Sequence, residues 1–370
     1  MSAMAYNFSA GPAMLPPEVI EQIRADFPVW HWQGVPQGAS VIELSHRSRA
    51  FEALVEEAEA NLRELLAIPN THRVLFMHGG AWGQFSAVPL NLLREGESAA
   101  YLVSGSWSEA AAREAARFGR VEIVASGAEG GYTAVPALEC WRKPEGPVAY
   151  YWVCSNETVH GNEVHELSAL ARALDAPLVL DASSHFLSRP MPVAHCGLIF
   201  AGAQKNVGPS GVTIVIVRED LIGRSGRAVP AILDYPTVAK AKSLANTPST
   251  FAIYGVSLVL RWIKAQGGLA EMERRALARS EHLYGAIDRS RRFRAPVAPA
   301  HRSRMNVVFD TGDAALDSQF VSFCETRGLI GLKGHRIRGG LRASLYNAMP
   351  LAGVEALVAA LEEFERLHPA

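Results

Sequence analysis

Thirty-six basic residues divide into thirty arginines and only six lysines, and one lysine, Lys205, stands apart from the rest. It alone follows directly on an apolar, strand-like run (Leu198–Ala201) and leads into a glycine-rich loop, Asn206-Val207-Gly208-Pro209-Ser210-Gly211. A lysine so placed is partly desolvated, which depresses its pKa and frees the neutral amine as a nucleophile. Asp181 closes an earlier run, Pro177–Leu180. A carboxylate there must be paired or hydrogen-bonded to stay charged. Farther upstream, Arg73–Met77 runs into His78-Gly79-Gly80-Ala81-Trp82-Gly83-Gln84, a glycine-rich turn opening a helix. Its free backbone N–H groups and the positive end of the helix dipole suit a phosphate. Each feature has a plainer reading alone: a ligand-free turn, a helix N-cap, a surface lysine.

Together they match the needs of pyridoxal 5′-phosphate (PLP). The lysine forms a Schiff base, the aspartate keeps the pyridine nitrogen protonated, and the turn holds the phosphate. Trp107, at a helix start after Gly105-Ser106, is placed to stack on the ring, or else is a core tryptophan.

Such residues work only if strands end side by side. Seven short apolar runs without alternation fit a mainly parallel sheet covered on both faces: Arg73–Met77, Ala99–Val103, Val121–Ala125, Val148–Val153, Pro177–Leu180, Leu198–Ala201 and Val212–Val217. Helical periodicity precedes the first run at Phe51–Leu66 and separates others at Ser108–Phe118 and Leu167–Leu174. In such α/β sheets ligands collect at the carboxyl ends of the strands. After about residue 225 the rhythm changes. A long apolar helix (Phe251–Lys264), further helices (Leu269–Asp288, Ala314–Arg327, Gly353–Leu367) and strands at Met305–Phe309 and Leu341–Tyr346 read as a smaller α+β domain.

At 370 residues the chain exceeds the usual reach of one hydrophobic core, so two domains are expected. A formal net charge of −1 gives no electrostatic case for nucleic acid or an anionic membrane. Cys140, Cys154, Cys196 and Cys324 form no metal-ligand pattern, and no metal is expected. The start, MSAMAYNFSAGPAMLPPEV, lacks the basic and apolar regions of a signal peptide. A cytoplasmic protein is the expectation.

Three segments make the pattern specific: Asn7-Phe8-Ser9-Ala10-Gly11-Pro12, Ser45-His46-Arg47 and Gly202-Ala203-Gln204-Lys205-Asn206-Val207-Gly208-Pro209. With Asn246-Thr247-Pro248, Arg302-Ser303-Arg304-Met305-Asn306, Gly334-His335-Arg336 and Leu341-Arg342-Ala343-Ser344, the chain resembles the phosphoserine aminotransferase family of class-V, fold-type-I PLP enzymes from end to end. The expected organisation is a large PLP-binding domain over residues 16–263, and a small domain built from residues 1–15 and 264–370. The resemblance implies that Lys205 carries the cofactor and Asp181 faces its ring nitrogen, with Trp107 stacked on the ring and Thr158 near its hydroxyl. It implies a phosphate held by Ala81, Trp82 and Gln204, and by Asn246 and Thr247 from a second subunit of a homodimer. Ala81-Trp82 stands where relatives carry Gly-Arg, so that contact is expected from backbone N–H groups. Arg342 would clamp the α-carboxylate, His46, Arg47, His335 and Arg336 would receive the distal anionic group, and Ser9 would touch substrate or order the N-terminal segment.

The implied reaction is transamination of 3-phosphohydroxypyruvate with L-glutamate, giving O-phospho-L-serine and 2-oxoglutarate, with an analogous step in pyridoxine biosynthesis. A cysteine desulfurase of the same superfamily, using Cys324, is a rival enzyme reading. A catalytically dead protein of the same fold is a third.

Overall fold

Strand positions follow from burial on both sides. In the computed structural model, which describes residues 5–369, seven strands form the central sheet: β1 (His72–Met77), β2 (Ser98–Val103), β3 (Arg120–Ser126), β4 (Val148–Cys154), β5 (Leu178–Asp181), β6 (Leu198–Gly202) and β7 (Thr213–Arg218). Residues 1–4 and 370, included in the expected small domain, lie outside the described residues. The strands lie in the order β1-β7-β6-β5-β4-β2-β3. Only β7 runs against its neighbours, β6 and β1.

Successive side chains enter two different cores, as the twofold period of a strand requires. Val74, Phe76, Leu178, Leu180, Ile199 and Ile214 face one. Leu75, Met77, Val179, Leu198, Phe200 and Val215 face the other. The helix Arg49–Leu66 is capped by Ser48 Oγ, which accepts from Phe51 N at 3.2 Å, and ends on Ala67 at φ 50°. Its Leu54, Leu62 and Leu66 join the first core, as do Ile253 and Leu260 of the helix Thr250–Ala265.

A third core gathers residues distant in sequence. Phe8 packs with Leu283, Phe309, Phe320, Leu357 and Phe364. Around it lie the helices Gly268–Arg289, Ala314–Glu325 and Leu351–Leu367, with the antiparallel strands Asn306–Phe309 and Leu341–Ser344. Tyr6–Asn7 pairs in parallel with Leu329–Ile330. Among the described residues no helix is long and apolar enough to cross a membrane.

Candidate active site

Because β1, β2, β4, β5 and β6 all point the same way, the segments leaving their carboxyl ends converge. They enclose a cavity of about 230 Å3. Gly79, Gly80, Ala81 and Trp82 come from the end of β1, Trp107 from β2, and Cys154, Asn156 and Thr158 from β4. Asp181, Ser183 and Ser184 come from β5, and Gln204 and Lys205 from β6. Seven expected cofactor residues therefore share one wall system: Ala81, Trp82, Trp107, Thr158, Asp181, Gln204 and Lys205.

Lys205 Nζ donates to Thr158 Oγ1 at 2.7 Å, so the amine and the hydroxyl meet across the cavity. Asp181 is buried, and its Oδ1 accepts from Ser183 N at 3.0 Å. Burial pushes its carboxyl up; hydrogen bonding from Ser183 and the charge of Lys205 oppose that rise. The helix Gly80–Leu92, whose first residues also line the cavity, opens on Gly79, at φ 87°, a left-handed conformation that favours glycine. A Cβ there would also approach Gly83 Cα at 3.0 Å. The first N–H groups of this helix lack intrahelical acceptors, which makes them anion-binding donors. Trp82 is 54% exposed, and its ring meets that of Trp107 edge-on at 6.4 Å. Amine, buried carboxylate, aromatic wall and N–H donors are the set a phosphorylated pyridine aldehyde needs, and Trp107 Nε1 is buried without a partner among the described residues.

The expected substrate residues divide. Arg342 Nη1 donates to the carbonyl of Thr158 at 3.2 Å, and its Nε is buried with no partner among the described residues. Burial holds this guanidinium below its usual pKa. His335 is pulled down by partial burial and by the charges of Arg342 and Arg336. Ser9 lies against Gly331, where a Cβ would have no room beside it. The same segment reaches the lysine loop: Ala13 N donates to Gln204 O at 2.9 Å, and a Cβ on Gly11 would touch Lys205 Cγ at 3.4 Å. His46 and Arg47 instead line a separate cavity with Lys242 and Leu244. Asn246 is exposed and lies 3.2 Å from His78 Nε2 of its own chain. Neither it nor Thr247 lines the Lys205 cavity.

Sequence reasoning missed Cys154, Asn156, Ser183 and Ser184 as wall residues, although each lies just at or beyond a strand end. It also missed what stands behind them. Asn156 Nδ2 donates to Ser184 Oγ (2.7 Å) and to Asn306 Oδ1 (2.8 Å), and Ser303 Oγ donates to Asn156 Oδ1 (2.5 Å). Asn306 in turn donates to Ser344 Oγ and Tyr346 OH. Buried polar chains of this kind rigidify a site when every member is satisfied.

His185 is fully buried, with Nε2 2.6 Å from Ser155 Oγ, and burial pulls its pKa down to about 3. His160, beside Ser106 Oγ, is pulled down to about 4. Both ordinarily titrate near 6.5. Between 6.5 and these lowered values the unfolded chain binds more protons, so this stability is full above about pH 6.5 and is lost as pH falls. The melting temperature is expected to drop by several degrees between about pH 7 and pH 5, and His185→Gln should lessen the slope. A flat wild-type profile would contradict neutral burial.

Cys324 is fully buried in the third core, and burial pushes its thiol up to about 12. A sulfur-accepting thiolate there is untenable, which removes the footing of the desulfurase reading. Among the described residues no three His, Cys, Asp or Glu side chains are grouped to hold a metal ion.

Comparison with known proteins points the same way. Residues 5–357 match the family model described as "Aminotransferase class-V". Phosphoserine aminotransferase of Bordetella avium is 50% identical, covering 99% of this chain and 100% of its own. The structure of phosphoserine aminotransferase from Bacillus circulans subsp. alkalophilus superposes with a TM-score of 0.93 at 43% identity, covering 99% of both chains. That of the PLP-bound phosphoserine aminotransferase from Trichomonas vaginalis gives 0.89 at 39%, over 97% of this chain and 99% of the other. With matches that span the chain, and a lysine, a buried aspartate and a phosphate-type turn meeting at one sheet edge, the chain belongs to the class-V aminotransferases, on the phosphoserine aminotransferase branch.

Proposed function

We infer that this transaminase binds PLP through Lys205 and exchanges amino groups between L-glutamate and 3-phosphohydroxypyruvate, yielding O-phospho-L-serine and 2-oxoglutarate. The observation that carries the reading is Lys205 Nζ hydrogen-bonded to Thr158 Oγ1 in a cavity that buried Asp181 also lines. When bound, PLP supplies an electron sink for the charge left on the substrate α-carbon. The chain's residues do the rest. Asp181 holds a proton at the ring nitrogen, Trp107 packs on the ring face, and Ala81, Trp82 and Gln204 hold the phosphate, the first two through backbone N–H groups. The Lys205 amine, displaced by substrate, accepts the α-proton and would pass it to the carbon of the cofactor that carried the aldehyde; the second half-reaction runs that transfer in reverse.

Arg342, already anchored to the Thr158 carbonyl, receives the α-carboxylate as a two-pronged donor. Arg342→Lys is therefore expected to raise KM for glutamate by roughly 10- to 100-fold, since hydrogen bonds to charged groups contribute about 1.5–3 kcal/mol. An unchanged KM would remove Arg342 from that role. His335 and Arg336 meet the distal carboxylate or phosphate. His46, Arg47, Asn246 and Thr247 complete the site of a second subunit in a homodimer. This reading is supported by their placement away from the Lys205 cavity, with His46 and Arg47 sharing their own cavity with Lys242, near Asn246 in sequence. The division into residues 16–263 and residues 1–15 with 264–370 is supported by Phe8 joining the C-terminal core. Cytoplasmic residence and the parallel step giving 4-phosphohydroxy-L-threonine in pyridoxine biosynthesis belong to the same reading.

The deciding experiment is a visible spectrum of the protein with PLP, titrated separately with glutamate, phosphoserine and alanine. Glutamate and phosphoserine should bleach the band and alanine should not. Equal response to alanine would refute the distal-anion preference, and absence of a band would refute the role of Lys205.

A further inference from the structure

Glu157 does not line the cavity, yet its carboxylate is fully buried and aimed at the start of the helix Ser106–Ala115. Trp107 N donates to Oε2 at 3.1 Å, Ser108 N donates to Oε1 at 2.8 Å, and Ser108 Oγ lies 2.7 Å from the same Oε1. Burial pushes the Glu157 carboxyl up, while these donors pull it down. An anion at a helix N-terminus also gains from the helix dipole. Helices are ordinarily capped by the residue just before them. Here that position is Gly105, which has no side chain, and a residue from beyond the end of another strand supplies the cap.

Gly105 makes this possible. A Cβ at that position would stand 2.5 Å from Glu157 Cδ. Its φ of 175° is extended backbone open to any residue, so it is the Glu157 side chain that excludes a larger one.

The bond has a geometric consequence. Trp107 is the second residue of the capped helix, and its ring forms the aromatic wall of the cavity. Thr158 is the next residue after Glu157; its hydroxyl accepts from Lys205 and its carbonyl from Arg342. One carboxylate thus ties the aromatic wall to the segment that contacts both the lysine and the arginine. We propose that Glu157 is a positioning residue that fixes Trp107 at stacking distance over the cofactor ring, setting how tightly and in what orientation the cofactor is held. The proposal rests on the reading of Lys205 and Trp107 as cofactor contacts.

Glu157→Gln keeps the side chain's size but turns an amide nitrogen toward at least one of the three donors. Apo-protein reconstituted with PLP should show about tenfold weaker binding, the loss expected from one charge-assisted hydrogen bond, and a smaller visible circular dichroism per bound cofactor. Gly105→Ala should reproduce both effects, because the added methyl displaces the carboxylate without removing its charge. If Glu157→Gln does not accumulate as folded protein, Ser108→Ala, which removes the hydroxyl beside Oε1 and also the acceptor of Ser104 N and Gly105 N, should show the same two changes. A fall in melting temperature with affinity and dichroism unchanged in the folded variants would reduce Glu157 to a stabilising cap and overturn the proposal. Wild-type protein that takes up no PLP would instead refute the underlying cofactor reading.

Discussion

Lys205→Ala is expected to lower transamination by roughly 10⁴-fold or more, while the protein stays folded. The amine has two tasks, holding the cofactor and moving the α-proton, and general acid–base catalysis alone contributes about 10²- to 10⁴-fold. Its structural ties are few: among the described residues Nζ makes one side-chain hydrogen bond, to Thr158 Oγ1. Losing that bond costs on the order of 1–3 kcal/mol, well within what a folded domain tolerates. The variant should retain the wild-type far-ultraviolet circular dichroism and lack the visible band of the lysine-bound cofactor. A small primary amine added to the buffer should restore part of the proton transfer. Single-turnover rates equal to wild type would show that another group is the base.

Asp181→Asn is the second large effect. Asparagine has nearly the same shape and its oxygen still accepts from Ser183 N, now 3.0 Å from Asp181 Oδ1. It carries no charge, so nothing at the end of β5 holds a proton on the ring nitrogen, and the electron sink weakens. Turnover should fall by about 10²- to 10⁴-fold with both substrates, and the cofactor should remain bound through Lys205 and the phosphate turn. A variant within a few-fold of wild type would mean that ring protonation does not depend on this carboxylate. The two variants are separable by spectrum: one loses the covalent band and the other keeps it.

Much of this site was legible because of how the strands are buried. Both faces of the sheet are covered, so each strand appears as an unbroken apolar run, and the few residues that follow the run mark the ligand edge. Asp181 and Lys205 were found in that way. The reversed direction of β7 was not, since its Thr213–Arg218 segment has the same apolar character as a parallel strand. The link from Gly202 to Thr213 is too short for a helical crossover, which is the physical sign of reversal. Tyr6–Asn7, two residues long, is too short to show any period. Glu157 was illegible for another reason. A glutamate ordinarily reads as a surface residue, and only the fold brings it to Ser108, forty-nine positions away.

The pairing of Tyr6–Asn7 with Leu329–Ile330, and the reach of Ala13 to Gln204, bear on how the enzyme comes into being. Tyr6–Asn7 must wait for residues about 320 positions later before it finds its strand partner. Ser344 N, which donates to Phe8 O at 3.1 Å, emerges later still. Contacts spanning so much chain are slow to form, because loop closure comes before any reward from pairing. The central sheet can assemble while synthesis continues, but the segment beside Lys205 settles only once Leu329–Ile330 and Ser344 have been made. Truncated products of translation would therefore carry the lysine without a finished pocket around it.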